Sequence, residues 1–86
     1  MKKVLIVEDD SFLQGLEVEK LKKVGYEVST ASTGEIAMQK IQNETGINVI
    51  LLDLVLPDFD GFDILKKVKT INTLKNVPVI VFSNLS

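Results

Sequence analysis

Four positions carry most of the chemistry this sequence offers. Asp53 is the single carboxylate in the run Ile47–Pro57, INVILLDLVLP, which is otherwise apolar apart from Asn48. An ionised carboxylate left unpaired in a dry interior costs several kcal/mol or takes up a proton, so Asp53 needs a partner or a boundary. Glu8 and Asp9 follow one apolar run, Val4–Val7, and Ser83 follows another, Pro78–Phe82. If these runs are parallel strands, all four residues stand at carboxyl ends, the edge where open parallel sheets bind ligands. Neighbouring strands lie about 4.8 Å apart, which brings Glu8, Asp9 and Asp53 together if the first and third strands adjoin. Three such carboxylates raise one another's pKa, and a divalent cation resolves the conflict. Hard oxygen donors, few protein carboxylates and room for water or phosphate oxygens suit Mg²⁺ better than an all-protein Ca²⁺ cage. A carboxylate held beside Mg²⁺ can attack phosphorus and form an aspartyl phosphate, with the Ser83 hydroxyl placed to hydrogen-bond the transferred oxygens.

The elements that must position these groups follow from periodicity. Val4–Val7 is a β-branched run of strand length, and Phe12–Val24 has helical spacing, with Leu13, Leu16, Leu21 and Val24 on one face and Gly25 as the stop. Tyr26–Thr30 alternates as a second strand. Ser32-Thr33-Gly34-Glu35 then has the spacing of a capping box opening a helix to about Asn43, with Ala37, Met38 and Ile41 facing the core. The third strand is Ile47–Leu52, whose successive apolar residues predict burial on both faces. Asp60 caps a third helix in which Ile64, Val68 and Ile71 recur at helical spacing, and Pro78–Phe82 is the fourth strand. The order βαβαβαβ with short connections predicts a parallel α/β sheet between helices, in one domain over residues 1–86.

Composition narrows the function classes. The 86 residues are 45% hydrophobic and 26% charged, enough for one small core. The chain has no Cys and no His, so thiol metal sites, the usual zinc sets and a serine-type triad lack their ligands or base. Net charge is −2, and the ten basic residues are all lysines, scattered or paired along helices, which argues against a broad nucleic-acid footprint. Val4–Val7 is too short for a signal core or a membrane span, which predicts a cytoplasmic protein.

Three stretches together, VLIVEDDS, LLDLVLPDFDG and PVIVFSN, resemble the response-regulator receiver domains of two-component systems, in the right order and across the whole chain. The resemblance implies a CheY-like, flavodoxin-like sheet of order 2-1-3-4, with Asp53 as phosphoacceptor. It implies Glu8 and Asp9 as the acidic pair, Asp9 being preferred as the direct Mg²⁺ ligand, and the backbone carbonyl of Val55 as a further ligand. Ser83 matches the hydroxyl residue that follows phosphorylation, and the N–H of Asn84 would touch the phosphate. A sensor histidine kinase or phosphotransfer protein is the implied partner, and the domain is a phosphoacceptor with self-catalysed transfer and hydrolysis at most. Asp10 is read as a helix cap.

The family pattern continues through a fourth helix, a fifth strand bearing a Lys and an aromatic residue, and a fifth helix, which these residues do not supply. Lys66, Lys67, Lys69 and Lys75 belong to the third helix and its exit and cannot stand in for that Lys. The expectation is an incomplete N-terminal portion of a receiver domain, with a fourth strand exposed as an edge and a homo-oligomer that covers it. An alternative reading is a receiver fragment acting as a folding or oligomerisation scaffold without phosphorelay activity. DFDG does not make a calcium loop, because Leu56 and Lys67 occupy two ligand positions. An aspartate-nucleophile phosphatase wants a second Asp where Val55 sits.

Overall fold

The chain alternates strand and helix as β1(Lys3–Val7), α1(Ser11–Lys23), β2(Glu27–Ala31), α2(Gly34–Asn43), β3(Ile47–Asp53), α3(Gly61–Thr70) and β4(Val79–Phe82). This architecture is taken from a computed structural model, which describes residues 2–83. All strand pairs are parallel and the order is β2-β1-β3-β4, as the flavodoxin-like reading requires. The order reverses after β2. With right-handed crossovers, that reversal puts α1 on one face and α2 and α3 on the other.

The main core lies between the sheet and α2 and α3. Leu5, Val7, Ile50 and Leu52 from the central strands meet Ala37 and Ile41 of α2, Ile64 and Val68 of α3, and Leu74 beyond it. Ile47 joins the same cluster although it is three residues from Ile50. A register shift between Lys3 and Val4 explains this, since Lys3 pairs with Ile47 and Val4 with Val49, so that Asn48 is the extra residue. The Asn48 side chain accepts the Lys3 N–H at 2.8 Å, which accounts for the one amide in the apolar run.

Local signals set the helix ends. Asp10 accepts the N–H groups of Phe12 and Leu13 and caps α1, and Asp60 accepts that of Phe62 and caps α3. Gly25 takes φ +95°, the left-handed conformation expected after a helix. The α2 start differs from the capping box predicted at Ser32. Thr33 is the N-cap, and Gly34 and Glu35 donate their N–H groups at 2.7 and 3.0 Å to Asp58, from the loop after β3. The apolar stripe predicted for α1 is not buried either, because α1 is the one helix on its face among the described residues. Leu13 and Leu21 are half-buried, Leu16 is 40% exposed and Val24 70%, and no α1 residue is fully buried.

At β4, Pro78 and Phe82 give their carbonyls to the N–H groups of Ile50 and Leu54 in and after β3. The backbone groups of the alternate residues Val79 and Val81 therefore face away, where no strand pairs with them among the described residues. Ile80 and Val81 are 55% and 44% exposed.

Candidate functional site: an acidic carboxyl edge

Register places the acidic residues on one rim. Val7 pairs with Leu52 and with Ala31, so Glu8 leaves β1 beside the end of β3, and Asp53 pairs with Phe82, the residue before Ser83. One carboxylate oxygen each from Glu8, Asp9 and Asp53 lies within 4.8 Å of the others. Glu8 and Asp53 are fully buried, whereas Asp9 is exposed.

Backbone groups hold these side chains in place. The Glu8 N–H donates to the Ala31 carbonyl at 3.0 Å, extending the β1–β2 ladder by one residue, and its carbonyl accepts the Gln14 amide at 2.9 Å. Its Oε2 accepts the Asp10 N–H at 3.1 Å, while Oε1 is buried and meets no N–H donor among the described residues. Asp53 Oδ1 accepts the Val55 N–H at 2.9 Å, an Asx-type turn that fixes the carboxylate as the chain leaves the sheet. Val55 then bridges to Asp60, and Gly61 packs onto this turn. A Cβ at Gly61 would come 2.5 Å from the Leu54 Cα, so close backbone approach is what requires glycine there.

The electrostatics are those of carboxylates crowded together. Burial pushes the Glu8 carboxyl from its ordinary 4.5 up to about 7; the Asp10 N–H opposes this, while the hydrogen bond and charge of Asp53 and the charge of Glu17 reinforce it. Glu17 of α1 is also raised, by burial and then by Asp53. A cavity of about 340 Å³ opens beside the rim, lined by Glu8, Glu17, Leu13, Leu16, Lys20, Phe82 and Ser83.

Of the residues expected at the site, Glu8, Asp9 and Asp53 converge, and Ser83 shares the cavity with Glu8. Val55 stands two residues beyond Asp53 and donates its N–H to it. Asn84 lies outside the described residues. Glu17 and Asp58 were not singled out. Glu17 had a signal, being a carboxylate four residues after Leu13 on the apolar stripe of α1. Asp58 had none, because it caps a helix 24 residues earlier.

Fully buried Glu8, with an oxygen that meets no N–H donor among the described residues, and three hard oxygens within 4.8 Å fit Mg²⁺. Comparison with known proteins identifies the family. The profile of the response regulator receiver domain matches residues 4–86. Chemotaxis protein CheY1 of Helicobacter pylori is 32% identical over 94% of this chain and 66% of its own. A gliding motility regulatory protein of Myxococcus xanthus is 34% identical over 98% of this chain and 11% of its own. Both curated relatives are longer, this chain spanning about a tenth of one and about two-thirds of the other.

Among solved structures, a CheY-like receiver domain protein from Methanospirillum hungatei superposes with TM-score 0.91 at 31% identity, over all of this chain and 66% of that one. The response regulator TrrA of Thermotoga maritima, solved in complex with Mg²⁺-BeF, gives 0.89 at 28% identity, over all of this chain and 72% of that one. With the family profile running from β1 past β4 and the sheet order the same, the chain belongs to the response regulator receiver domain family.

Proposed function

We propose that this receiver domain takes a phosphoryl group onto Asp53 with Mg²⁺ held by Glu8, Asp9, Asp53 and the Val55 carbonyl. The observation that carries the reading is the convergence of three carboxylate oxygens within 4.8 Å at the end of β3. When bound, Mg²⁺ supplies positive charge against the phosphoryl oxygens. Asp53 is the nucleophile: one of its carboxylate oxygens forms a bond to phosphorus while the donor's bond to phosphorus breaks, and the donor group leaves with that electron pair. The donor is the phosphohistidine of a sensor kinase or phosphotransfer protein, or a small acyl phosphate. The Val55 N–H orients the nucleophile, and the Ser83 hydroxyl and Asn84 N–H bind the transferred oxygens.

The domain is a signalling acceptor whose catalysis is limited to its own loading and hydrolysis. It acts in the cytoplasm; among the described residues no helix is long and apolar enough to cross a membrane. Incubation of the chain with Mg²⁺ and a small acyl phosphate, followed by intact-mass measurement, should show one phosphoryl group, absent in Asp53→Asn. No adduct on the folded wild type, or an adduct that survives in Asp53→Asn, overturns the reading.

The scaffold alternative draws on one observation, the β4 edge, which pairs with no strand among the described residues and exposes Ile80 and Val81. Exposed strand edges template pairing with a second chain. We therefore propose that copies of this 86-residue chain associate through β4. Sedimentation at tens of micromolar should show a species larger than a monomer, and a Val81→Lys chain should sediment as a monomer. A monomeric wild type refutes the association.

A further inference from the structure

The loop between β3 and α3 carries Val55, and two contacts of different kinds seat its tip on α2. The root of the loop is fixed by the sheet and by itself. The Leu54 N–H donates to the Phe82 carbonyl at 2.8 Å, the Gly61 N–H donates to the Leu54 carbonyl at 3.3 Å, and Val55 bridges to Asp60. At the tip, Asp58 spreads its carboxylate over the first turn of α2, Oδ1 accepting the Gly34 N–H at 2.7 Å and Oδ2 the Glu35 N–H at 3.0 Å. Phe59 lies so close to Gly34 that a Cβ there would come 2.5 Å from the Phe59 Cβ, an atom that no change of rotamer moves away. The helix already has a cap in Thr33, whose hydroxyl accepts the Ile36 N–H at 3.1 Å. So α2 can start on Thr33, while the loop tip gains its hold on a second element from Asp58 and Phe59.

We propose that Asp58 and Phe59, seated on Gly34 and Glu35 of α2, are positioning residues for the divalent-cation site, holding the loop so that the Val55 carbonyl stays at the carboxylate rim. The inference rests on the Mg²⁺ reading of Glu8, Asp9, Asp53 and Val55, and it extends that site to a helix that supplies no ligand. A backbone carbonyl has no side-chain freedom with which to seek a metal, so it goes where its loop goes. Mg²⁺ demands near-octahedral geometry at about 2.0–2.1 Å, which makes a displaced loop a lost ligand. Only Leu56 and Pro57 separate Val55 from Asp58, and proline fixes its own φ near about −65°, so the tip's place is passed back along a short, stiff segment. Asp58 is outside the group of carboxylates that converge within 4.8 Å, so it acts by holding the loop and not as a ligand.

The test is calorimetric titration of the full chain with Mg²⁺ on wild type, Asp58→Ala, Asp58→Asn, Gly34→Ala and Thr33→Ala, each checked for folding by circular dichroism. Roughly 0.15 M KCl damps long-range charge effects beyond about 8 Å. Asp58→Ala removes both bonds to α2, and Gly34→Ala displaces Phe59 with no change of charge at a helical position that favours alanine. Both should bind Mg²⁺ roughly tenfold more weakly, the usual scale for losing a group that orients a metal ligand. Asp58→Asn keeps an accepting oxygen and should stay within about threefold of wild type. Thr33→Ala loosens the same helix start without touching the loop, so its melting midpoint should fall while its Mg²⁺ affinity stays that of wild type. Wild-type affinity in Asp58→Ala or in folded Gly34→Ala overturns the positioning role and leaves the metal site standing. An equal loss in Asp58→Asn and Asp58→Ala, which assigns the effect to charge, or a tenfold loss in Thr33→Ala, which assigns it to helix stability, overturns that role as well. A folded wild type that takes up no Mg²⁺ overturns the metal site, and this inference with it.

Discussion

The acidic rim should make the metal-free protein lose stability as pH rises, the opposite of ordinary acid denaturation. Glu8 is held protonated in the fold, its carboxyl raised from 4.5 to about 7, first by burial and then by Asp53 and Glu17 against the Asp10 N–H. Below pH 4.5 it is protonated folded and unfolded alike, and its contribution is fully present. As pH climbs from there, the unfolded chain releases a proton that the fold retains, so stability falls until about pH 7 and then levels off. At about 1.4 kcal/mol per pH unit, the interval from 4.5 to about 7 amounts to roughly 3 kcal/mol.

Glu17 adds in the same sense. Glu44 and Asp58 oppose it. Glu44 is lowered because its bonds to Lys3 and Ser29 outweigh its burial, and Asp58 is lowered chiefly by the Gly34 N–H. Their contributions are present above the ordinary carboxylate range and are lost as pH falls through their lowered values. Thermal melts followed by circular dichroism in chelator should thus peak near pH 4 to 5 and fall toward pH 8 by about 10–20 °C, at roughly 4–8 °C per kcal/mol for a domain of this size. Saturating Mg²⁺ at pH 8, about a hundredfold over its dissociation constant, should restore about 2.7 kcal/mol. Glu8→Gln should flatten the slope. A metal-free midpoint that rises or stays level from pH 5 to 8, or a Glu8→Gln chain with the wild-type slope, refutes the assignment of strain to this rim.

Three further outcomes follow from packing and caps. Ile64→Ala opens the core between α3 and the central strands and should cost about 2–5 kcal/mol in urea titration. Gly61→Ala drives a methyl into the Leu54 backbone and should cost about 1–3 kcal/mol; because that backbone carries Asp53, it should also slow loading with an acyl phosphate more than Ile64→Ala does. Asp58→Ala strips Gly34 and Glu35 of their acceptor and should lower the melting midpoint, with amide exchange accelerating at the first turn of α2 before it does elsewhere.

Much of the machinery was legible in the linear chain. The β-branched runs, the caps Asp10 and Asp60, and a lone Asp ending an apolar strand specify α/β alternation and carboxyl-edge acids, because strand period, helix period and N-cap bonding involve residues only a few positions apart. Asn48 shows the limit: its polarity was visible, but its place as a bulge residue bonded to Lys3 depends on pairing 45 residues away. Asp58 likewise caps a helix that precedes it by 24 residues, which displaced the local Ser32 signal in favour of Thr33.

The solvent exposure of the α1 stripe was equally beyond local pattern, since a helical repeat says which residues share a face but not what covers that face. The chain's own order of types fixed which residues could ionise, cap or bury. Only the sheet order and register decided that Glu8, Asp9 and Asp53 share one rim, because like charges some 45 positions apart are driven together by the burial of the strands that carry them and not by any attraction of their own.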